Sequence, residues 1–184
     1  IYINQLNGDN YDGSPRICPT TSIDHFEIQH DGNGLTCDAE TITVKACINE
    51  ACSSSDLSTE SVTLDLLADG KVISSQTFTG SKTVSFNHTV AETLTFSIAN
   101  SSIKASNPLK CESGSGNACD MAFTNAGFRF LSGTGNSTTI PPQTSGSEFG
   151  ETLKIQAVKD TNGVCTGLFT DNKDVNLSQE NVEP

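Results

Sequence analysis

Tryptophan is absent from the 184-residue chain and tyrosine occurs only twice, so the rings that grip sugars in a binding cleft are scarce. Basic residues are few as well, 10 against 22 acidic, for a formal net charge of −12. Such a surface repels phosphate, which excludes nucleic acid as a partner, because affinity there comes from clustered Lys and Arg. No apolar run approaches the roughly 20 residues of a helical membrane span, so no membrane insertion of this chain is expected. The opening "IYINQLNGDN" carries no export signal and reads as the middle of a longer exported protein. Also missing are a G-x-S-x-G elbow, an H-E-x-x-H pair and a P-loop. Carboxylates abound, but acidic pairs are expected on so acidic a surface, and they propose no catalytic residues; a glycosidase-type pair leaves no motif in the sequence, yet the missing Trp and few Tyr argue against a sugar-gripping cleft. The expectation is a non-enzyme.

Helical periodicity is as scarce as Trp, while alternation with a period of two runs through the chain. "HFEIQH" sets Phe26, Ile28 and His30 on one face. "TITVKAC" does so with Ile42, Val44 and Ala46, and "SVTLDLL" with Val62, Leu64 and Leu66. "KVISSQTF" follows more weakly, then "KTVSFNHTV" with Val84 and Phe86 and "ETLTFSIA" with Leu94, Phe96 and Ile98. Turn signals at 31–34 (DGNG), 68–71 (ADGK) and 79–82 (TGSK) separate them. Six short strands about ten residues apart predict an all-β sandwich. With no Trp, its core has to rest on Ile, Val, Leu and the nine Phe.

From 104 to 120 the alternation stops and the chain reads as a cysteine-bearing loop. Strand signal returns in "MAFTNAGFRFLS", where Phe128 and Phe130 share a face, and again in "TLKIQAVKD", "GVCTGLF" and "DVNLS". The predicted organisation is an N-terminal extension or linker at 1–23, a sandwich with its Cys-bearing loop at 24–120, and a second, partial or smaller β module at 121–184. A short internal echo, Glu40-Thr41 against Glu151-Thr152, fits two related modules.

Seven cysteines are many for this length and predict an oxidising compartment. Cys47 and Cys52 flank a four-residue reversal, and Cys111 and Cys119 bracket seven residues rich in Gly and Ser; both spacings suit disulfides. Cys18 and Cys37 are placed to meet, tying the N-terminal segment to the sandwich. Cys165 is then left over, as a free thiol or with its partner elsewhere. Zinc is disfavoured: His25 and His30, five apart on a strand, point to opposite faces, and His88 belongs to another strand. Each histidine reads as an edge or surface residue. No cofactor is expected, although the oxygen-rich turns at 8–13 and 160–163 keep calcium open; neither matches the EF-hand pattern. Sequons stand at Asn87, Asn100, Asn136 and Asn176.

The segments "HFEIQHDGNGLTCDAETITVKACINEACS", "CDMAFTNAGFRF", "IPPQTSG" and "LKIQAVKDTNGVC" resemble the C-terminal region of MshQ-type proteins. Those are large exported bacterial proteins associated with the mannose-sensitive haemagglutinin type IV pilus. The resemblance covers about residues 24–178. It implies an immunoglobulin-like antiparallel sandwich at the cell surface, often beside a concanavalin-like lectin domain. It also implies further cysteines beyond the stretch resembling "DVNLSQENVEP", one of which would pair with Cys165. The expected role is a structural or adhesive module whose partners are pilus components, cell-surface or abiotic ligands, or a glycan. The rivals are a lectin-like carbohydrate-binding module and a secreted hydrolase.

Overall fold

The computed structural model describes residues 22–114, 116–133, 137–138, 144, 146–147, 152–171 and 173. Every regular element among them is a strand. In chain order these are β1 (His25–Gln29), β2 (Asn33–Leu35), β3 (Ala39–Cys47), β4 (Ser61–Ala68), β5 (Lys71–Thr79) and β6 (Ser81–Asn87). They continue with β7 (Thr93–Ala99), β8 (Lys110–Glu112), β9 (Asp120–Thr124), β10 (Ala126–Ser132), β11 (Leu153–Thr161) and β12 (Val164–Gly167).

One sheet runs β6-β3-β1-β8 and a second runs β2-β9-β7-β4-β5. The apolar parity of each strand chooses its inner face. Phe26 lies opposite Ala46 and Ile28 opposite Val44, while Ile42 faces Val84, so the first sheet presents one continuous apolar surface. Leu66 opposite Ile98 and Leu94 opposite Met121 build the facing surface. Ile28, Ile42, Val62, Leu64, Leu66 and Met121 are fully buried between the two layers. This is the all-β sandwich that the alternation predicts.

Two strands escape the sequence pattern because each is only three residues long. β2 starts inside the DGNG turn and pairs parallel with β9. β8 lies in the stretch read as loop and pairs parallel with β1. These two pairings are parallel in a body whose other described ladders are antiparallel. Gly34 is required where β2 meets β9, since a Cβ there would come within 2.5 Å of the Phe123 ring.

The single run "MAFTNAGFRFLS" is broken at Asn125 into β9, which joins β2 to β7 in the five-stranded sheet, and β10, which opens a third sheet, β10-β11-β12. β9 thus carries the first body past residue 120. In the third sheet Leu131 and Val158 point inward and are buried, while Phe128 and Phe130 lie on the opposite parity, 60% and 50% exposed. The expectation of a core built on the nine Phe is therefore corrected: Phe26, Phe78, Phe96 and Phe123 are buried, but Phe128, Phe130 and Phe169 are not. The "DVNLS" stretch lies outside the described residues.

Candidate functional site

The cysteines organise the molecule differently from the pairing expected of Cys18. Cys37 is bonded to Cys165, across a sequence separation of 128 and with Cα atoms 4.9 Å apart. The expected Cys18–Cys37 bridge is corrected accordingly; Cys18 itself lies outside the described residues. Proximity along the chain suggested Cys18, whereas three-dimensional packing decides: β11 and β12 return to the turn between β2 and β3, where Cys37 sits. Cys47 is bonded to Cys52 and Cys111 to Cys119, each pair with Cα atoms 5.1 Å apart.

Polar contacts converge around the long bridge. Thr36 is buried and its hydroxyl donates to Asp160 Oδ2 at 2.8 Å and lies 3.2 Å from Asn125 Oδ1. The Thr36 N–H donates to the Thr124 carbonyl, and Asp160 N–H to the Asn125 carbonyl. Arg129 Nη1 stands 3.6 Å from Asp38 Oδ2, and its Nε donates to Gln156 Oε1 at 2.9 Å. Gly127 sits so near Leu35 that a Cβ would approach its Cδ2 to 2.8 Å. The third sheet is thereby fastened to the β2–β3 end of the sandwich by one covalent bond and a cluster of hydrogen bonds.

The calcium candidate at 160–163 is the tight turn of the β11–β12 hairpin. Asn162 and Gly163 occupy positive φ, 56° and 79°, as a two-residue hairpin turn demands. Asp160 uses Oδ1 to accept the Gly163 N–H and Oδ2 to accept Thr36, so both its oxygens have partners. The other candidate, 8–13, lies outside the described residues.

The histidines take three separate places. His25 faces away from the sandwich core yet is fully buried, and His30 is buried with its ring edge-on to Phe96 at 5.6 Å. Both correct the expectation of surface histidines. His25 is covered because the loop after β3 folds back over it. The His30 ring lies 3.1 Å from the Ala118 carbonyl and accepts the Gly32 N–H, so it braces the β1–β2 turn. His88 packs on Phe86 and Phe123 and lies 2.9 Å from Glu92. The opposite facing of His25 and His30 holds: His25 lies across from Cys47 on the outer face of β1, and His30 lies against Phe96 of the core.

An open depression lined by His30, Asp31, Glu40, Thr43 and Glu112 gathers carboxylates. Burial raises the Glu40 pKa; the N–H of Leu35 pulls it back and the charges of Asp31 and Asp38 add to the rise. Glu112 is engaged by the Gln29 amide. On the opposite side of the molecule, hydrogen bonds from Ser75 and Asn100 lower the pKa of Asp65.

Among the described residues, two packed β layers, three cystine bridges and a third sheet define an all-β, disulfide-linked β-sandwich protein. Residues 23–104 match the model of a domain of unknown function (DUF8613). Residues 108–184 match a second domain of unknown function (DUF6701), described as its first Ig-like domain, which supports the immunoglobulin-like sandwich. No curated protein and no solved structure matches the chain. The two matched regions interlock, since β8 and β9 from the second complete the two sheets of the first. The disulfides fit an oxidising, extracellular compartment.

Proposed function

We propose that this chain is a non-catalytic structural and adhesion module of an exported, pilus-associated bacterial surface protein of the MshQ type. Its work is mechanical: it holds a stiff, fixed spacing and presents its outer faces to other pilus components or to surfaces. The observation that supports this is the Cys37–Cys165 bridge, which closes most of the described body into one covalent loop. A pull on the two ends of the chain bypasses every residue inside that loop, so β3 to β11 cannot be drawn out while the bridge stands; β1 and β2 precede Cys37 and stay in the line of force. In its oxidised form the module uses no cofactor for this role. The carboxylates of the open depression support a non-catalytic reading, since Glu40 and Glu112 are occupied by backbone and amide donors.

Single-molecule extension tests it. Reduction should release additional contour length of about 42–46 nm, from 128 residues at roughly 3.3–3.6 Å each. Equal extension of oxidised and reduced chains would refute the mechanical reading.

A second reading, carbohydrate or surface-ligand binding, is favoured by Phe128 and Phe130, exposed side by side on one face of β10. Glycan-array binding that disappears in the Phe128→Ser/Phe130→Ser variant, with thermal stability unchanged, would establish it. Absence of glycan binding in the parent chain leaves the spacer reading standing alone.

A further inference from the structure

The buried His25 belongs to a cluster that the mechanical role does not use. His25 and Glu27 both project from the outer face of β1, directly across from Cys47 and Lys45 of β3. After β3 the chain reverses: the Asn49 side chain accepts the N–H groups of Ala51 and Cys52, and Ile48 N–H donates to the Asp56 carbonyl. That reversal lays Cys52 back over the strand. One ligand atom from each of His25, Glu27, Cys47 and Cys52 then lies within 4.8 Å of the others.

His25 carries the independent sign of an absent partner. Its Nδ1 is 2.8 Å from Asp24 Oδ2, and the same hydrogen bond is the main reason the Asp24 pKa is lowered. Its Nε2, buried with the rest of the ring, has no hydrogen-bond partner among the described residues. Buried polar atoms nearly always have one. With Nδ1 engaged by the Asp24 carboxylate, Nε2 is the ring nitrogen left to bind a metal, and a carboxylate on the other nitrogen is the arrangement that orients histidine ligands of zinc.

We propose that the Cys47–Cys52 clasp is a redox-conditional metal site. Once the disulfide is reduced, His25 Nε2, the two Sγ atoms and the Glu27 carboxylate bind one thiophilic divalent d10 cation, Zn2+. Reduction by a dithiol transfers two electrons and two protons to the cystine, giving two thiols while the reductant closes its own disulfide. Metal binding then expels the two thiol protons to solvent and leaves thiolates. Tetrahedral Zn2+ with Zn–S of about 2.3 Å and Zn–N of about 2.0 Å places its ligand atoms roughly 3.3–3.8 Å apart. The sulfurs separate to reach that spacing and the nitrogen and carboxylate oxygen move in. Lys45, now 2.8 Å from Glu27 Oε1, stays beside the site. Two thiolates, the Glu27 carboxylate, Zn2+ and the Lys45 ammonium sum to zero charge, and the Asp24 carboxylate on His25 Nδ1 adds one negative charge beside them.

The proposal is independent of the mechanical reading, because it concerns the short clasp and not the long bridge. It is tested by titrating the full chain, reduced with a phosphine under anaerobic conditions, with Co2+. The expected result is one equivalent of tetrahedral cobalt showing thiolate-to-metal charge transfer, displaced by Zn2+. The oxidised chain should show no such band. Cys47→Ser/Cys52→Ser should abolish it, Cys111→Ser/Cys119→Ser should leave it intact, and Glu27→Gln should weaken binding about tenfold or more. In the parent chain, Zn2+ should shift the nitrogen-15 resonance of His25 Nε2, a readout that needs no histidine variant. A band that survives Cys47→Ser/Cys52→Ser, or an unmoved Nε2 resonance, would overturn the assignment. So would a reduced chain that loses its fold and is not restored by Zn2+.

Discussion

The sandwich and the β10–β12 sheet are written in the same two-residue alternation, yet they are held in different ways. In the sandwich each apolar row meets another across the layer, so Ile28, Ile42, Leu64, Leu66 and Phe96 lose all or nearly all contact with water. In the third sheet only Leu131 and Val158 find such cover; Phe128, Phe130, Leu153 and Val164 remain exposed. Its attachment rests instead on Cys37–Cys165 and on the Thr36, Asn125, Asp160 and Arg129–Asp38 contacts. Alternation makes a strand, but a second apolar surface is what makes it a stable layer. Where that surface is small, a covalent bond and buried polar contacts take its place.

The contrast has a measurable order. Removing the long bridge in Cys37→Ala/Cys165→Ala has the largest expected effect, with a ceiling near 5 kcal/mol from loop-closure entropy. Native-state hydrogen exchange should show β10–β12 losing protection while β3, β4 and β7 keep theirs; equal loss in both regions would break the comparison. Leu64→Ala, at the centre of the sandwich, should cost roughly 2–5 kcal/mol of global stability in urea unfolding. Thr36→Val removes the buried hydroxyl donated to Asp160 and should cost about 1 kcal/mol, again read by exchange in β11 and β12. Glu40 gives the smallest effect, in the pH dependence. Its pKa is raised in the folded chain from the ordinary value of 4.5, so the folded state holds this proton more tightly than the unfolded one. The stability linked to it is fully present below that value and fades as pH rises through the folded pKa. Glu40→Gln should flatten this part of the stability–pH curve, and an unchanged curve would mean that the carboxylate is as well solvated folded as unfolded.

Six of the seven longer strands of the sandwich were legible because each spans at least five residues, enough for alternation to repeat; the seventh, β9, was read as one run with β10. β2 and β8 were not, since three residues carry no period and their parallel partners lie far along the chain. Cys47–Cys52 and Cys111–Cys119 follow from local reversals that spacing reveals. Cys37–Cys165 does not, because its closure depends on the break at Asn125 and the return of β11. The exposure of Phe128 and Phe130 was equally hidden: residue type says apolar, and only the sheet's neighbours say which parity is covered. The His25 cluster was missed for a related reason. H-x4-H spacing directed attention to His30, whereas the cross-strand register of β1 and β3 sets His25 beside Cys47. The one sequence signal for it was a histidine two positions from a glutamate on a strand facing a cystine turn.

Peptide mapping of the unreduced chain tests the two-region account most directly. Proteolysis without reduction, followed by mass spectrometry, should recover Cys37 joined to Cys165. Recovery of Cys37 joined to Cys18, with Cys165 free, would contradict it: the third sheet would then have no covalent hold on the sandwich.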